Sequence, residues 1–152
     1  MRVSVATEYG VRGLTYLANH RQNWPISIEE VASQSGVPKS YLLKIFRSLS
    51  MAGLVKATRG KDGGFSLQRQ PGAITVGEVL EAIEGPLSVC PCVIDEQRCD
   101  RAKRCGARSF WLSVQASLRE TLTSTTLQTI AAREREVGGN AGEKRGTEEA
   151  IH

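Results

Sequence analysis

All four cysteines of the 152-residue chain lie within one short stretch, from Cys90 to Cys105. Cys92, Cys99 and Cys105 are separated by six and then five residues. On a helix these three thiols would lie too far apart to share one centre, so the spacing suits a loop that curls around a centre. Thiolates are soft ligands that favour iron-sulfur clusters, zinc or copper(I). The pattern therefore favours a metal or cluster site on this loop.

Four basic residues are interleaved with the thiols, namely Arg98, Arg101, Lys103 and Arg104. Positive charge beside a thiol favours the thiolate, so we expect these residues to lower the pKa values of the cysteines. Such a loop is suited to bind a metal or to react.

Other interpretations of the four cysteines remain open. A structural zinc site is one of them, although the paired Cys-x-x-Cys knuckles typical of zinc are absent from the sequence. Redox-active thiols and disulfides are the others. The first residues contain no apolar run that resembles a signal peptide, so reduced thiols and a cytoplasmic location are expected.

Composition and charge indicate which classes of protein this chain can belong to. Hydrophobic residues make up 40% of the chain and charged residues 24%, as in an ordinary globular protein. No apolar run is long enough to span a membrane. Residues 1–70 contain ten Lys or Arg against four Asp or Glu. Such a local surplus is typical of a surface that binds phosphates, although solvated faces can carry it too.

The N-terminal third predicts two amphipathic helices. The first runs from Val3 to about His20. Ser27 and Glu30 have the spacing of a capping box, which predicts that the second helix begins at Ile28. Gly36 is placed to end it.

A third helix is predicted between Pro38 and Gly53, because apolar residues recur at helical spacing there. Two helices joined by a tight glycine turn are typical of a helix-turn-helix, whose second helix contacts bases in the major groove. An ordinary helical hairpin is the alternative. The exposed face of the third helix carries Lys39, Ser40, Tyr41, Lys44 and Arg47.

Two short strands are predicted next, over 54–58 and 65–67, on either side of a glycine-rich turn. A hairpin directly after a helix-turn-helix is a wing. Arg59 and Lys61 lie at its tip, where they could reach the minor groove or the DNA backbone. The wing favours DNA binding over the helical hairpin.

The C-terminal half predicts two further helices. Thr75 and Glu78 form a second capping box, and the helix that they begin should end near Glu84. Another helix should run from about Ala107 toward Thr123 and bury its apolar stripe against a second subunit or within its own core. The stripe consists of Phe110, Trp111, Val114, Leu118 and Leu122.

The expected fold is mainly α with a small β-hairpin wing. Residues 1–88 should form a winged helix-turn-helix domain and residues 89–106 a cluster-binding loop. Residues 107–136 should form a long dimerisation helix, interrupted near the threonines at 123–126. Residues 137–152 lack an apolar period and are expected to form a disordered tail.

Several segments of the chain together resemble the Rrf-two family of winged-helix iron-sulfur transcriptional regulators, which includes IscR and NsrR. The resemblance covers residues 1 to about 130. The matching segments are Pro38–Leu42, Gly53–Lys56, Arg59–Phe65, Ile74–Leu80 and the final Cys-x6-Cys-x5-Cys. It implies a homodimer that binds a pseudo-palindromic operator in duplex DNA and holds a [2Fe-2S] or [4Fe-4S] cluster on three cysteines.

By position, the resemblance assigns Cys92, Cys99 and Cys105 as cluster ligands and leaves Cys90 as an extra thiol. The fourth ligand varies within the family. In members that resemble the nitric-oxide sensor it is a carboxylate of the first helix, supplied by the other subunit, and Glu8 stands at that place. A solvated carboxylate at a helix start is the alternative for Glu8.

The resemblance also bears on DNA contacts. It places Ser40 and Tyr41 at the major groove and Arg59 in the minor groove. Leu43 stands where the iron-sulfur assembly repressor has a base-reading glutamate, so its operator preference does not transfer.

The motifs and the resemblance together predict a dimeric DNA-binding transcriptional regulator, expected to act as a repressor, that senses redox or nitrosative stress, or iron-sulfur status, through its cluster. A winged-helix regulator without a cluster, using zinc or thiol redox chemistry at the same cysteines, is the alternative. An enzyme is not expected, because the sequence has no phosphate-binding loop, no nucleophile elbow and only two histidines.

Overall fold

The computed structural model describes the backbone of residues 3–148 and the side chains up to residue 138. It confirms a mainly helical fold with one antiparallel hairpin. None of the described helices combines the length and apolar composition that crossing a membrane requires. The elements are α1 Val5–Asn19, α2 Ile28–Ser35, α3 Lys39–Met51, β1 Val55–Thr58, β2 Gly64–Leu67, α4 Val76–Glu84, α5 Pro91–Ile94, α6 Arg108–Ser124 and α7 Leu127–Glu148.

Helix α1 forms the centre of the core and contacts α2, α3, α4 and α7. Leu14 and Leu17 on its inner face are fully buried. Gly13 allows α3 to approach closely, since a Cβ there would lie 2.9 Å from Leu42 and 3.0 Å from Phe46. The recognition helix predicted from the sequence is therefore held against α1 by close packing.

The two predicted capping boxes have different outcomes. At the start of α4, Thr75 accepts from the amide of Glu78, whose carboxylate accepts from the amide of Thr75. At the start of α2, Ser27 accepts from the amide of Glu30 at 3.2 Å. The Glu30 carboxylate instead accepts from the Tyr16 hydroxyl at 2.9 Å, so this box is only half formed.

The hairpin is anchored on two sides. Its register pairs Val55 with Leu67, and β2 is also bonded to the segment before α2 through Ile26 and Phe65. Each of these two amides donates to the carbonyl of the other, at 2.9 and 2.7 Å. The Phe65 ring packs edge-on against Phe46 of α3, with centroids 5.1 Å apart. These contacts fix the hairpin relative to α3.

The C-terminal region, predicted over 107–136 as a dimerisation helix interrupted near 123–126, forms two helices. The backbone at Thr125 is extended and ends α6 there. Helix α7 then packs on α1, where Leu127 and Ala131 are buried in the core. The residues predicted to form the winged domain, 1–88, therefore do not contain the whole core, because α7 supplies part of it.

Helix α7 also continues through residue 148, over most of the tail predicted to be disordered from 137. Its first turns are held in the core at Leu127 and Ala131, and the charged residues over 133–136 are good helix formers. The glycine-rich residues from 138 onward have low helix propensity, and no described contact explains their helical backbone. The expected tail residues 149–152 lie outside the described residues.

Helix α6 has no buried residue along its whole length. The lower part of its apolar stripe, at Leu118 and Leu122, is half-buried next to α4. At its upper end Phe110, Trp111 and the neighbouring Leu112 are 59%, 39% and 39% exposed. The predicted stripe is thus divided between an intramolecular contact and a free end.

Candidate nucleic-acid interface and cysteine loop

An open groove lies between α3 and the hairpin. Four of the seven residues predicted to contact DNA, namely Ser40, Lys44, Arg47 and Arg59, line it together. None of the described residues that line the groove is acidic, so three cations face one concave surface. The remaining lining residues are Leu43, Ser50, Ala57 and Phe65.

Three of the predicted DNA-binding residues, Lys39, Tyr41 and Lys61, lie outside this lining. Lys61 is exposed in the turn of the hairpin, next to Gly60. Lys39 donates from Nζ to the Glu29 carboxylate of α2. This hydrogen bond lowers the pKa of the Glu29 carboxyl. Part of the Lys39 charge is therefore neutralised within the protein.

Tyr41 is 58% exposed, and the edge of the groove around it contains a small aromatic cluster. Its ring packs edge-on against Tyr9 of α1, with centroids 6.1 Å apart. The guanidinium of Arg12 lies 5.8 Å from the Tyr9 ring centroid, a cation–π arrangement. Sequence reasoning missed Tyr9 and Arg12, because their proximity to α3 arises only from helix packing.

The cysteine loop consists of α5 and two short turns of 3-10 helix. All four cysteines are free and half-buried. The sulfurs of Cys90 and Cys92 lie 3.4 Å apart. Within the described residues, no three His, Cys, Asp or Glu side chains are close enough to hold a metal ion. Glu8 is exposed on α1 and joins no such group among the residues that the structure describes.

The electrostatics at Cys92 differ from the expectation based on the basic residues. The hydrogen bond with Cys90 raises the pKa of the Cys92 thiol, and burial adds to the rise. Among the cations, Arg108 is the one that opposes this rise in pKa. A neighbouring thiol therefore outweighs positive charge at this position.

Arg108 of α6 is a further residue at this site. Its Nε is buried and has no hydrogen-bond partner among the described residues, while its Nη2 lies 3.9 Å from the Glu96 carboxylate. A buried donor without an acceptor is costly, and an anionic group beside the loop would satisfy it. The half-buried thiols and this donor fit the chemistry of a thiolate-bound cluster, although the described residues of a single chain do not assemble the ligands.

The start of the loop is fixed to α6 by one side chain. The Gln115 amide donates to the Leu87 carbonyl at 3.0 Å, and its oxygen accepts from the Val89 amide at 2.9 Å. The loop is thus attached to α6 just before its first cysteine. A change in the loop can act directly on this helix.

A helix-turn-helix followed by a hairpin, with a cationic groove between them, defines a winged-helix transcriptional regulator. The family model described as "Iron-dependent Transcriptional regulator", Rrf2, matches residues 3–133. The chain therefore belongs to the Rrf2 family.

Two relatives illustrate this kinship. The chain is 32% identical to the HTH-type transcriptional regulator CymR of Bacillus subtilis over 132 residues, which cover 87% of this chain and 91% of CymR. The solved structure of that protein, described as the global cysteine regulator, matches with a TM-score of 0.73 over 88% of this chain and 98% of CymR. The structure of IscR from T. potens matches with a TM-score of 0.71 at 31% identity, over 90% of each chain.

Proposed function

We propose that this protein is a dimeric repressor that binds a pseudo-palindromic operator through α3 and the wing. The observation that carries the proposal is the groove in which Ser40, Lys44, Arg47 and Arg59 face one open surface. Ser40 and Tyr41 at the start of α3 would contact base edges, and the cations would contact phosphates. Arg59 extends this surface onto the wing, toward the minor groove.

The wing is tested with Arg59→Ala. A duplex is first selected by the wild-type protein from a random-sequence pool, which also reveals whether the site is pseudo-palindromic. We expect Arg59→Ala to bind this duplex roughly tenfold more weakly or worse, since a hydrogen bond to a charged group contributes about 1.5–3 kcal/mol. The slope of log affinity against log salt should fall by about one.

Arg133→Ala is the matched control, because Arg133 is an exposed arginine on α7 outside the groove. It should retain wild-type affinity. Equal binding by the Arg59 variant and the wild type would remove the wing from the proposal.

We further propose that the loop is the sensory element and holds an iron-sulfur cluster on Cys92, Cys99 and Cys105, with Glu8 of the partner subunit as fourth ligand. A bound cluster would supply a redox-active centre that reacts with oxidants and nitric oxide. Three thiolates and a carboxylate bring more negative charge than a cluster core neutralises. The buried Arg108 donor and the basic residues of the loop would offset this excess.

The cluster is tested by the visible absorption spectrum of protein purified without oxygen, together with iron, sulfide and zinc analysis. We expect iron-sulfur charge-transfer bands in the wild type and none in Cys99→Ala. Glu8→Ala should retain a cluster with an altered spectrum, greater lability and weaker coupling to DNA binding. A Glu8→Ala protein identical to the wild type in all three respects would contradict the ligand from the partner subunit.

A regulator without a cluster, using zinc or thiol chemistry at the same cysteines, is the second candidate function. Two observations favour it: the described part of a single chain does not bring three ligands together, and Cys90 and Cys92 interact directly. A colourless protein with stoichiometric zinc, or with neither metal, would support this candidate.

A further inference from the structure

The cysteine that the proposed cluster does not use lies beside one that it does. Cys90 directly precedes α5, and Cys92 lies in its first turn, with Pro91 between them. Their sulfurs are 3.4 Å apart, and both side chains are free and half-buried. A disulfide bond is about 2.05 Å long, so the two sulfurs need to approach by about 1.4 Å.

We propose that Cys90 and Cys92 form a reversible disulfide, a modification site at which the protein reacts with peroxide. Cys90 and Cys92 already contact each other, whereas Cys99 and Cys105 form no comparable contact with another thiol. Half-buried side chains also leave a small oxidant access to the pair.

The chemistry balances with hydrogen peroxide as the oxidant. One sulfur attacks the peroxide, the O–O bond breaks, and one water leaves as a sulfenic acid forms on that sulfur. The second sulfur then attacks the first, the S–S bond forms, and the hydroxyl leaves as a second water with the remaining thiol proton. Two electrons pass from the two sulfurs to the peroxide. A dithiol reductant reverses the reaction by thiol–disulfide exchange.

The disulfide has a consequence that rests on the proposed cluster. A sulfur bonded to Cys90 cannot serve as a thiolate ligand, so oxidation would withdraw Cys92 from the ligand set. Cys90 would then act as a competitor for Cys92 and hold the protein in a form without a cluster until it is reduced.

The sequence allows a direct test by mass spectrometry. Trypsin cleaves after Arg69 and Arg98 but at no site between them, so the peptide 70–98 contains Cys90 and Cys92 without the other two cysteines. Full-length, reduced, cluster-free protein is treated with hydrogen peroxide, alkylated and digested.

We expect this peptide to be lighter by two hydrogens and to lose its doubly alkylated form, which a dithiol reductant should restore. Cys99 and Cys105 should remain alkylated. Cys90→Ser is the matched control, and its peptide should show no such mass loss. Double alkylation after peroxide, irreversible oxidation of the pair, a cross-link to another cysteine, or the same mass loss in the Cys90→Ser protein would each overturn the proposal.

Cluster assembly separates this inference from the proposed function. Reduced and disulfide forms are supplied with iron and sulfide without oxygen, in the absence of a dithiol reductant, and the visible absorption is recorded. Because sulfide can itself cleave a disulfide, the peptide 70–98 is analysed again after the incubation, and only protein that retains the disulfide is compared. We expect the reduced form alone to take up a cluster. Cluster uptake by both forms would contradict the claim that the disulfide removes Cys92 from the ligand set. Uptake by neither form would count against the proposed cluster, while the disulfide would still be judged by the peptide.

Discussion

Glu84 shows how a single side chain can connect the two ends of the winged domain. Its carboxylate accepts from the Ser4 amide at 3.2 Å, from the Ser4 hydroxyl and from the Thr7 hydroxyl at 2.5 Å. The hydrogen bonds from Ser4 and Thr7 lower the pKa of the Glu84 carboxyl. They join the start of α1, which carries Glu8, to the point where the chain leaves α4 for the cysteine loop.

Replacing Glu84 by Gln should weaken this connection in a pH-dependent way. A carboxyl whose pKa is lowered in the folded state stabilises the protein above its ordinary pKa, and the stabilisation is lost as pH falls through the lowered value. We therefore expect Glu84→Gln to lower the free energy of unfolding at neutral pH, with the difference from the wild type vanishing in acid. Urea unfolding at a series of pH values measures this.

Glu81→Gln, an exposed glutamate of the same helix, is the control and should match the wild type throughout. A pH-independent difference at Glu84 would contradict the role of its charge.

The Glu84 interactions could not be predicted from the sequence, because their partners lie about eighty positions earlier in the chain. The cysteine loop could be predicted from the sequence, since its residues are neighbours in the chain. The side-chain contact between Cys90 and Cys92 could not be predicted in this way.

At the scale of elements, the wing depends on one glycine. A Cβ at Gly64 would lie 2.2 Å from the carbonyl oxygen and 2.4 Å from the carbonyl carbon of Ile26, both backbone atoms that cannot rotate away. This close approach allows the hydrogen bonds between Ile26 and Phe65 that attach β2 to the segment before α2.

Gly64→Ala should therefore destabilise the protein by about 1–3 kcal/mol, the usual cost of forcing an atom into a packed site. Thermal unfolding at fixed protein concentration measures the loss, and DNA affinity should fall with it as the wing shifts. Gly106→Ala is the matched control, since a Cβ there meets no atom within 4 Å. Equal stability of the two variants would show that the segment before α2 adjusts without cost.

Elements with local signals could be predicted well from the sequence. The box of Thr75 and Glu78 formed in full because both partners lie within one helical turn. In the capping box at Ser27 only one of the two hydrogen bonds is present, because Tyr16 of another helix competes for the Glu30 carboxylate. Competition of this kind depends on tertiary packing and has no local signature.

At the scale of the whole molecule, the free end of α6 suits a second copy of the chain. Phe110 and Trp111 stack edge-on with centroids 5.0 Å apart and remain exposed at the end of a helix that buries no residue. An exposed aromatic pair next to the half-buried lower stripe is typical of an interface between subunits.

Replacing Trp111 by Glu should therefore dissociate the dimer at micromolar concentration, because a charge in an apolar interface carries a large desolvation cost. Sedimentation equilibrium measures the change in mass. Ser113→Glu is the control, since Ser113 is exposed and lies about 200° around the helix from Trp111. A Trp111→Glu dimer would place the interface elsewhere, and a wild-type monomer would contradict the proposed dimer.

The sequence predicted the break after α6 but not the return of α7, because nothing local distinguishes Leu127 from the residues of a short final turn. In the structure Leu127 donates its amide to the Ile74 carbonyl at 3.0 Å and is fully buried. Burial of this kind, between residues far apart in the chain, determines how the helices are arranged. Its only signal in the sequence is a few isolated apolar residues.

The burial of α7 against α1 also has a consequence for synthesis. Residues that close the core around α1 are among the later ones to leave the ribosome, so the winged domain cannot complete its packing while Leu127 and Ala131 are still untranslated. A nascent chain that already contains the recognition helix and wing would expose the apolar surface of α1. Full DNA affinity should thus be acquired only after α7 has been made, and premature termination before Leu127 should yield an aggregation-prone fragment rather than an unregulated DNA-binding protein.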